Sequence, residues 1–123
     1  MARRALIVVV CALFLAACDS TPRNPPPQLE GGNPQRGADL ITSYGCGTCH
    51  VVPGVRGADG LVGPPLNSFR RRQYIAGELS NTPEHLIEWI RFPQSVEHGT
   101  AMPDLGVTET DARDIAAYLY TLQ

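Results

Sequence analysis

The segment Cys46-Gly47-Thr48-Cys49-His50 carries most of the chemistry this chain can offer. Two thiols three residues apart on a turn can add to the two vinyl groups of one haem, and an imidazole on the next residue then stands under its iron. The spacing therefore predicts one covalent haem c, held by Cys46 and Cys49, with His50 as proximal ligand. Three other chemistries use a cysteine pair at this spacing. A redox dithiol of the thioredoxin kind expects a βαβ setting, and none is visible around these residues. Zinc wants four ligands, and beyond these three only His85 and His98 remain, neither in a second paired motif. A structural disulfide is the third alternative.

The elements that must position this motif are legible at their ends. Asn33 can cap a helix with Pro34 at its first position, and Ala38, Leu40 and Ile41 give that helix an apolar side before Gly45 stops it. It runs straight into Cys46. From Val51 to Pro65 the repeated glycines and prolines predict a loop without regular structure, which needs something to fold around. Thr82-Pro83 repeats the cap-then-proline start, and Leu86, Ile87 and Ile90 form an apolar face that must end near Phe92, because Pro93 disfavours helical geometry before it. Thr108 and Asp111 resemble a capping box, and Ala112, Ile115, Ala116, Leu119 and Leu122 recur at helical spacing to the end of the chain. No run alternates like a strand. The predicted class is all-α.

The 123 residues allow one small domain and exclude a large multidomain enzyme. Arg3 and Arg4 followed by the apolar run Ala5 to Ala17 read as an export leader, too short to span a bilayer, for which about 20 residues are needed. Leu15-Ala16-Ala17-Cys18 resembles the lipobox of bacterial lipoproteins, which implies cleavage after residue 17 and diacylglycerol on Cys18. Residues 18–32, rich in proline and glycine, then read as a tether, and 33–123 as the folded domain. Without the leader, eight arginines and no lysine face twelve acidic side chains, a balance that argues against a nucleic-acid binder.

From Asn33 to the end the chain resembles the class I cytochromes c. The resemblance is carried by Gly37, Cys46 to His50, Gly63-Pro64-Pro65-Leu66, Met102-Pro103 and the helix from Glu109. Asn81-Thr82-Pro83-Glu84 through Trp89-Ile90, with Ala101 to Gly106, looks most like the cytochrome c modules attached to subunit II of haem-copper oxidases. The resemblance implies two crossing terminal helices with loops wrapped round one haem, and Met102 as the distal ligand. A lone methionine is ordinarily core filler, and His98 is the competing ligand; His85 reads as a surface residue. Ligation by His50 and Met102 implies a relatively high potential, since neutral sulfur favours ferrous iron. The resemblance further implies that the Pro64 carbonyl accepts the His50 Nδ1 proton, that Leu66 packs on the haem, and that Gly37 is where the first helix meets Tyr118 or Leu119 of the last. Ile41 stands where many relatives have an aromatic residue. Tyr74, Trp89, Arg70 and Arg91 are candidate donors to the haem propionates. Arg70-Arg71-Arg72 reads as a solvated loop in preference to a docking patch.

The expected function is a lipid-anchored, single-electron carrier on the periplasmic side of the membrane. It would serve redox protein partners, ending at a terminal oxidase, and do no bond-making chemistry. Two alternatives stand beside it: a ligand-binding or sensing haem protein with an open iron, and a fixed haem subunit of a larger reductase or dehydrogenase.

Overall fold

A computed structural model of the chain describes Pro26 and residues 29–123. The expected leader at 1–17, the expected lipidation site Cys18 and most of the expected tether lie outside the described residues. Helix α1 spans Pro34–Ser43. Asn33 is extended and its side chain accepts the Arg36 amide at 3.0 Å, while Pro34 fills a first-turn position that has no amide to satisfy. The helix stops where Gly45 turns left-handed at φ 72°, and a 3₁₀ turn, Cys46–Thr48, follows at once. A second 3₁₀ turn covers Phe69–Arg71. Helix α2 is Pro83–Arg91, capped by Thr82; α3 is the four-residue Pro93–Val96; α4 is Glu109–Leu119, capped by Thr108, whose hydroxyl accepts the Asp111 amide at 3.2 Å.

The all-α expectation holds, with a short antiparallel pair added. Strand β1, Tyr74–Ile75, pairs with β2, Leu79–Ser80, with Ile75 opposite Leu79. Two-residue strands are too short to leave an alternating pattern in sequence; Ala76 and Gly77, both at positive φ, make the turn between them. The break at Pro93 is as expected, yet the chain restarts one short helix there instead of leaving directly into a loop.

Helices α1 and α4 make the main packing contact of the fold. Gly37 is buried in it. A Cβ there would lie 2.7 Å from the Asp114 carbonyl carbon and 3.0 Å from Tyr118 Cβ, so only glycine permits this approach. Ala112, Ala116 and Ala117 are fully or almost fully buried on the α4 side. The contact is locked by a polar cluster that periodicity does not reveal. The Arg36 guanidinium bonds both Asp111 and Asp114; Tyr44 donates to Asp111 at 2.7 Å, and the Asn33 amide to Asp114 Oδ1 at 2.8 Å. The Tyr44 hydroxyl, followed by Thr108 and Arg36, holds the Asp111 carboxyl below the usual carboxylate range.

The folded body begins before residue 33. Leu29 is 0 % exposed and belongs to the core cluster, and a Cβ on Gly32 would meet Ala117 Cβ at 3.0 Å. Leu29 and Gly32 are thus packed against the folded body, while Glu30 and Gly31 between them are exposed: the one large aliphatic side chain of a Pro/Gly-rich stretch found a buried place. At the other end, Tyr120 packs edge-to-face on Phe69 at 5.8 Å and donates to Asn81 Oδ1 at 2.8 Å. Asn81 in turn donates to the Phe69 and Arg72 carbonyls, both at 3.0 Å. Burial, helped by Glu84, pushes the Tyr120 phenol up to about 12. Among the described residues, no helix is long and apolar enough to cross a membrane.

Candidate functional site

The 3₁₀ turn folds the cysteine motif back on itself. The Cys46 carbonyl accepts both the Cys49 amide at 3.2 Å and the His50 amide at 3.0 Å, so the two thiols and the imidazole leave one compact turn. Both cysteines are free and half-buried. Burial pushes the Cys46 thiol up. The His50 Nδ1 lies 2.7 Å from the Pro64 carbonyl oxygen. A carbonyl only accepts, so Nδ1 carries the proton and Nε2 is the nitrogen with a lone pair for a metal.

The glycine-rich loop after His50 is shaped by this turn. Gly60 donates to the Gly47 carbonyl at 3.0 Å and Gly63 to that of Cys49 at 2.8 Å. A Cβ on Gly47 would lie 2.7 Å from Ala58 Cα; one on Gly60 would lie 2.5 Å from the Cys49 amide nitrogen; one on Gly63 would lie 2.6 Å from His50 Nδ1. These glycines let backbone close over the motif, which is why a long loop without helices keeps a fixed course. Leu61 and Val62, between the Gly60 and Gly63 bonds, are 87 % and 73 % exposed. Pro64 carries the accepting carbonyl, and Leu66 is half-buried against the core, its amide bonded to the Val51 carbonyl at 2.8 Å.

Met102 is half-buried in the segment between α3 and α4. Its backbone is held by Gln94 of α3, a residue that the sequence did not single out. Gln94 Nε2 donates to the carbonyls of Thr100 and Met102, both at 2.8 Å, and its Oε1 accepts the Gly99 amide at 3.3 Å. No local pattern signals this, because a glutamine after proline is compatible with any surface helix. His98 is exposed. His85 departs from the surface position expected of it: it is half-buried, with Nδ1 2.9 Å from the Ser80 carbonyl oxygen.

The candidate propionate donors separate. Tyr74 is exposed, and Trp89 is half-buried against the core. Arg91 stacks over the Phe92 ring at 4.6 Å and pairs with Glu109 at 3.4 Å, while its buried Nε has no hydrogen-bond partner. Arg70 and Arg71 are exposed, but Arg72 is half-buried, bonding the Pro65 and Asn67 carbonyls and lying 5.4 Å from the Phe69 ring centre. The triple arginine is therefore in part a structural tie between two loops.

The donors present suit a covalent haem: two half-buried thiols on the same turn, followed by an imidazole whose Nδ1 faces a backbone acceptor. Among the described residues, no three His, Cys, Asp or Glu side chains converge as a metal-ion site.

Comparison with known proteins agrees with this geometry. The family described as Cytochrome c matches residues 34–123. A cytochrome c oxidase subunit 2 from Alkalihalophilus pseudofirmus is 37 % identical over 89 residues, covering 72 % of this chain and 25 % of the relative. One from Bacillus sp. strain PS3 is 33 % identical over 89 residues, covering 69 % and 25 % respectively. The chain thus matches about a quarter of the length of these relatives.

Proposed function

Since the chain belongs to the cytochrome c family, and so carries electrons through haem, we propose that it is a single-electron carrier with one haem c, bound through Cys46 and Cys49 and ligated by His50 and Met102. Haem, when bound, supplies an iron that changes by one electron and makes no bond to a substrate. Everything else falls to the chain. The Pro64 carbonyl holds the Nδ1 proton, which fixes the imidazole plane and raises its basicity. The glycine loop and half-buried Leu66 pack beside His50; with haem bound, His50 and Met102 would be its two protein ligands, and the group would pass single electrons without binding a substrate. The observation that carries this reading is the 2.7 Å contact between His50 and Pro64, which presets one nitrogen for a metal.

The acceptor in this proposal is a terminal oxidase, supported by relatives that are themselves named as oxidase subunits. Lipid on Cys18 holds the carrier at the periplasmic face of the cell membrane.

Met102→Ala tests the ligand set. In the wild type, the oxidised protein should show the weak far-red band of sulfur bound to iron, the haem should stay with the denatured chain, and the reduced protein should bind carbon monoxide slowly. The substitution should abolish the band, admit carbon monoxide rapidly and lower the potential by a sizeable part of the ~0.8 V range that axial ligands span. An unchanged spectrum and potential would give the sixth position to another residue, with His98 the first to examine. Rapid carbon monoxide binding by the wild type would replace the carrier by a ligand-binding haem protein.

A further inference from the structure

We infer that Gln94 is the positioning residue for Met102, its carboxamide clamping the loop that presents the sulfur so that the thioether stays on the iron. The inference rests on the ligation proposed above. A carboxamide has two N–H donors and one carbonyl acceptor, and here all three functions meet the same loop: the donors take the Thr100 and Met102 carbonyls at 2.8 Å each, and the oxygen takes the Gly99 amide at 3.3 Å. The flip of the amide is set by these partners, since the reverse orientation would face oxygen to oxygen twice. Gln94 is itself held at its base. Pro93 before it is buried in the core, and the Gln94 backbone amide donates to Asp104 Oδ1 at 3.5 Å, so both ends of the 99–104 loop return to one residue of α3.

The loop needs such a clamp because little else fixes it. Gly99 is at positive φ with open space around its Cα, Ala101, Pro103 and Asp104 are exposed, and the segment is otherwise tied by the Thr100 amide donating to the Glu97 carbonyl at 3.1 Å and a long bond from the Met102 amide to the Thr100 hydroxyl at 3.5 Å. Without the carboxamide the methionine carbonyl would turn to water and the loop would swing. A neutral thioether is a weak ligand, so the iron bond alone does not hold a loose loop in place. Glutamate at this position keeps the shape and loses both donors, which separates the hydrogen bonds from simple filling of space.

The experiment measures imidazole binding to the oxidised holoprotein in wild type, Gln94→Ala, Gln94→Glu, Met102→Ala and Tyr120→Phe, together with the far-red band and denaturant midpoint of each. Imidazole enters only when the sulfur leaves. Losing two hydrogen bonds of ordinary net strength in Gln94→Glu should speed its entry roughly 30-fold and weaken the band, and Gln94→Ala, which loses all three, should be at least as fast. Tyr120→Phe, which loosens the fold through Asn81 and away from this loop, should lower the midpoint and leave the imidazole rate within about twofold of wild type. Equal acceleration in Tyr120→Phe, or Gln94 variants that bind imidazole at the wild-type rate while Met102→Ala binds it fast, would overturn the clamp and leave the ligation standing. If Met102→Ala itself is unchanged, both fall.

Discussion

Gly63→Ala perturbs the site at one atom whose consequence is legible from the backbone. The new Cβ would lie 2.6 Å from His50 Nδ1 and 2.8 Å from Nε2, well inside the 3.4 Å at which ordinary contact begins. Gly63 is not among the glycines with positive φ, so alanine adopts its backbone without strain and the whole effect is steric. An imidazole ring is the end of a rotatable side chain and could swing aside, except that Pro64 holds it from one side and, in the proposed holoprotein, iron from the other. The variant must therefore break the 2.7 Å bond or open the loop at the Gly63 to Cys49 bond. Overpacking costs about 1–3 kcal/mol and a lost hydrogen bond about 1 kcal/mol, giving roughly 2–4 kcal/mol in all. For a domain of this size that lowers Tm by on the order of 10–20 °C. The potential should rise, because an imidazole without its carbonyl partner is less basic and supports ferric iron less well. Denaturant unfolding followed at the haem, with a redox titration of the same samples, measures both. Gly57→Ala is the control: its φ is +77° with open space around it, so alanine should cost about 1–2 kcal/mol of backbone strain and leave the potential alone. A Gly63→Ala protein within about 0.5 kcal/mol of wild type and at the same potential would refute the claim that this ring is held.

Leu29→Ala should cost about 2–5 kcal/mol by thermal or denaturant unfolding, as for any fully buried leucine, whereas a tether residue would cost nothing. Asp111 has its folded pKa depressed, so its contribution to stability is present above the unfolded value of about 3.9 and is lost as pH falls through the folded pKa; Asp111→Asn should flatten the Tm profile below about pH 4. Tyr120 has its pKa raised to about 12, so its contribution is complete below about pH 10 and lost as pH rises towards 12, and Tyr120→Phe should remove that alkaline limb of the Tm profile. Mature wild-type protein should partition into detergent, and Cys18→Ser should remain an unacylated precursor; intact-mass measurement of the two decides.

The chemistry and the helix ends were legible in sequence because each is written in adjacent residues. The proposed haem attachment asks for two thiols and an imidazole within five positions, and Cys46 to His50 has that spacing. Asn33-Pro34, Thr82-Pro83 and Thr108 with Asp111 satisfy orphan amides of their own first turns, so the local chain suffices to start all three longer helices. The His50 to Pro64 contact was expected only through resemblance to a family; nothing within either segment encodes it. What tertiary structure alone decided lies between segments far apart in the chain. Leu29 is buried because the folded chain gives it a place in the core, not because its proline-rich surroundings predict burial. Arg36 was one charge among many until the crossing of α1 and α4 set Asp111 and Asp114 before it. Gln94 became a clamp only when α3 ended in a turn that brought the Thr100 and Met102 carbonyls back to its amide. A side chain's partner is fixed by the folded path of the backbone, and hydrogen bonds across that path leave no periodicity in the sequence for a reader to find.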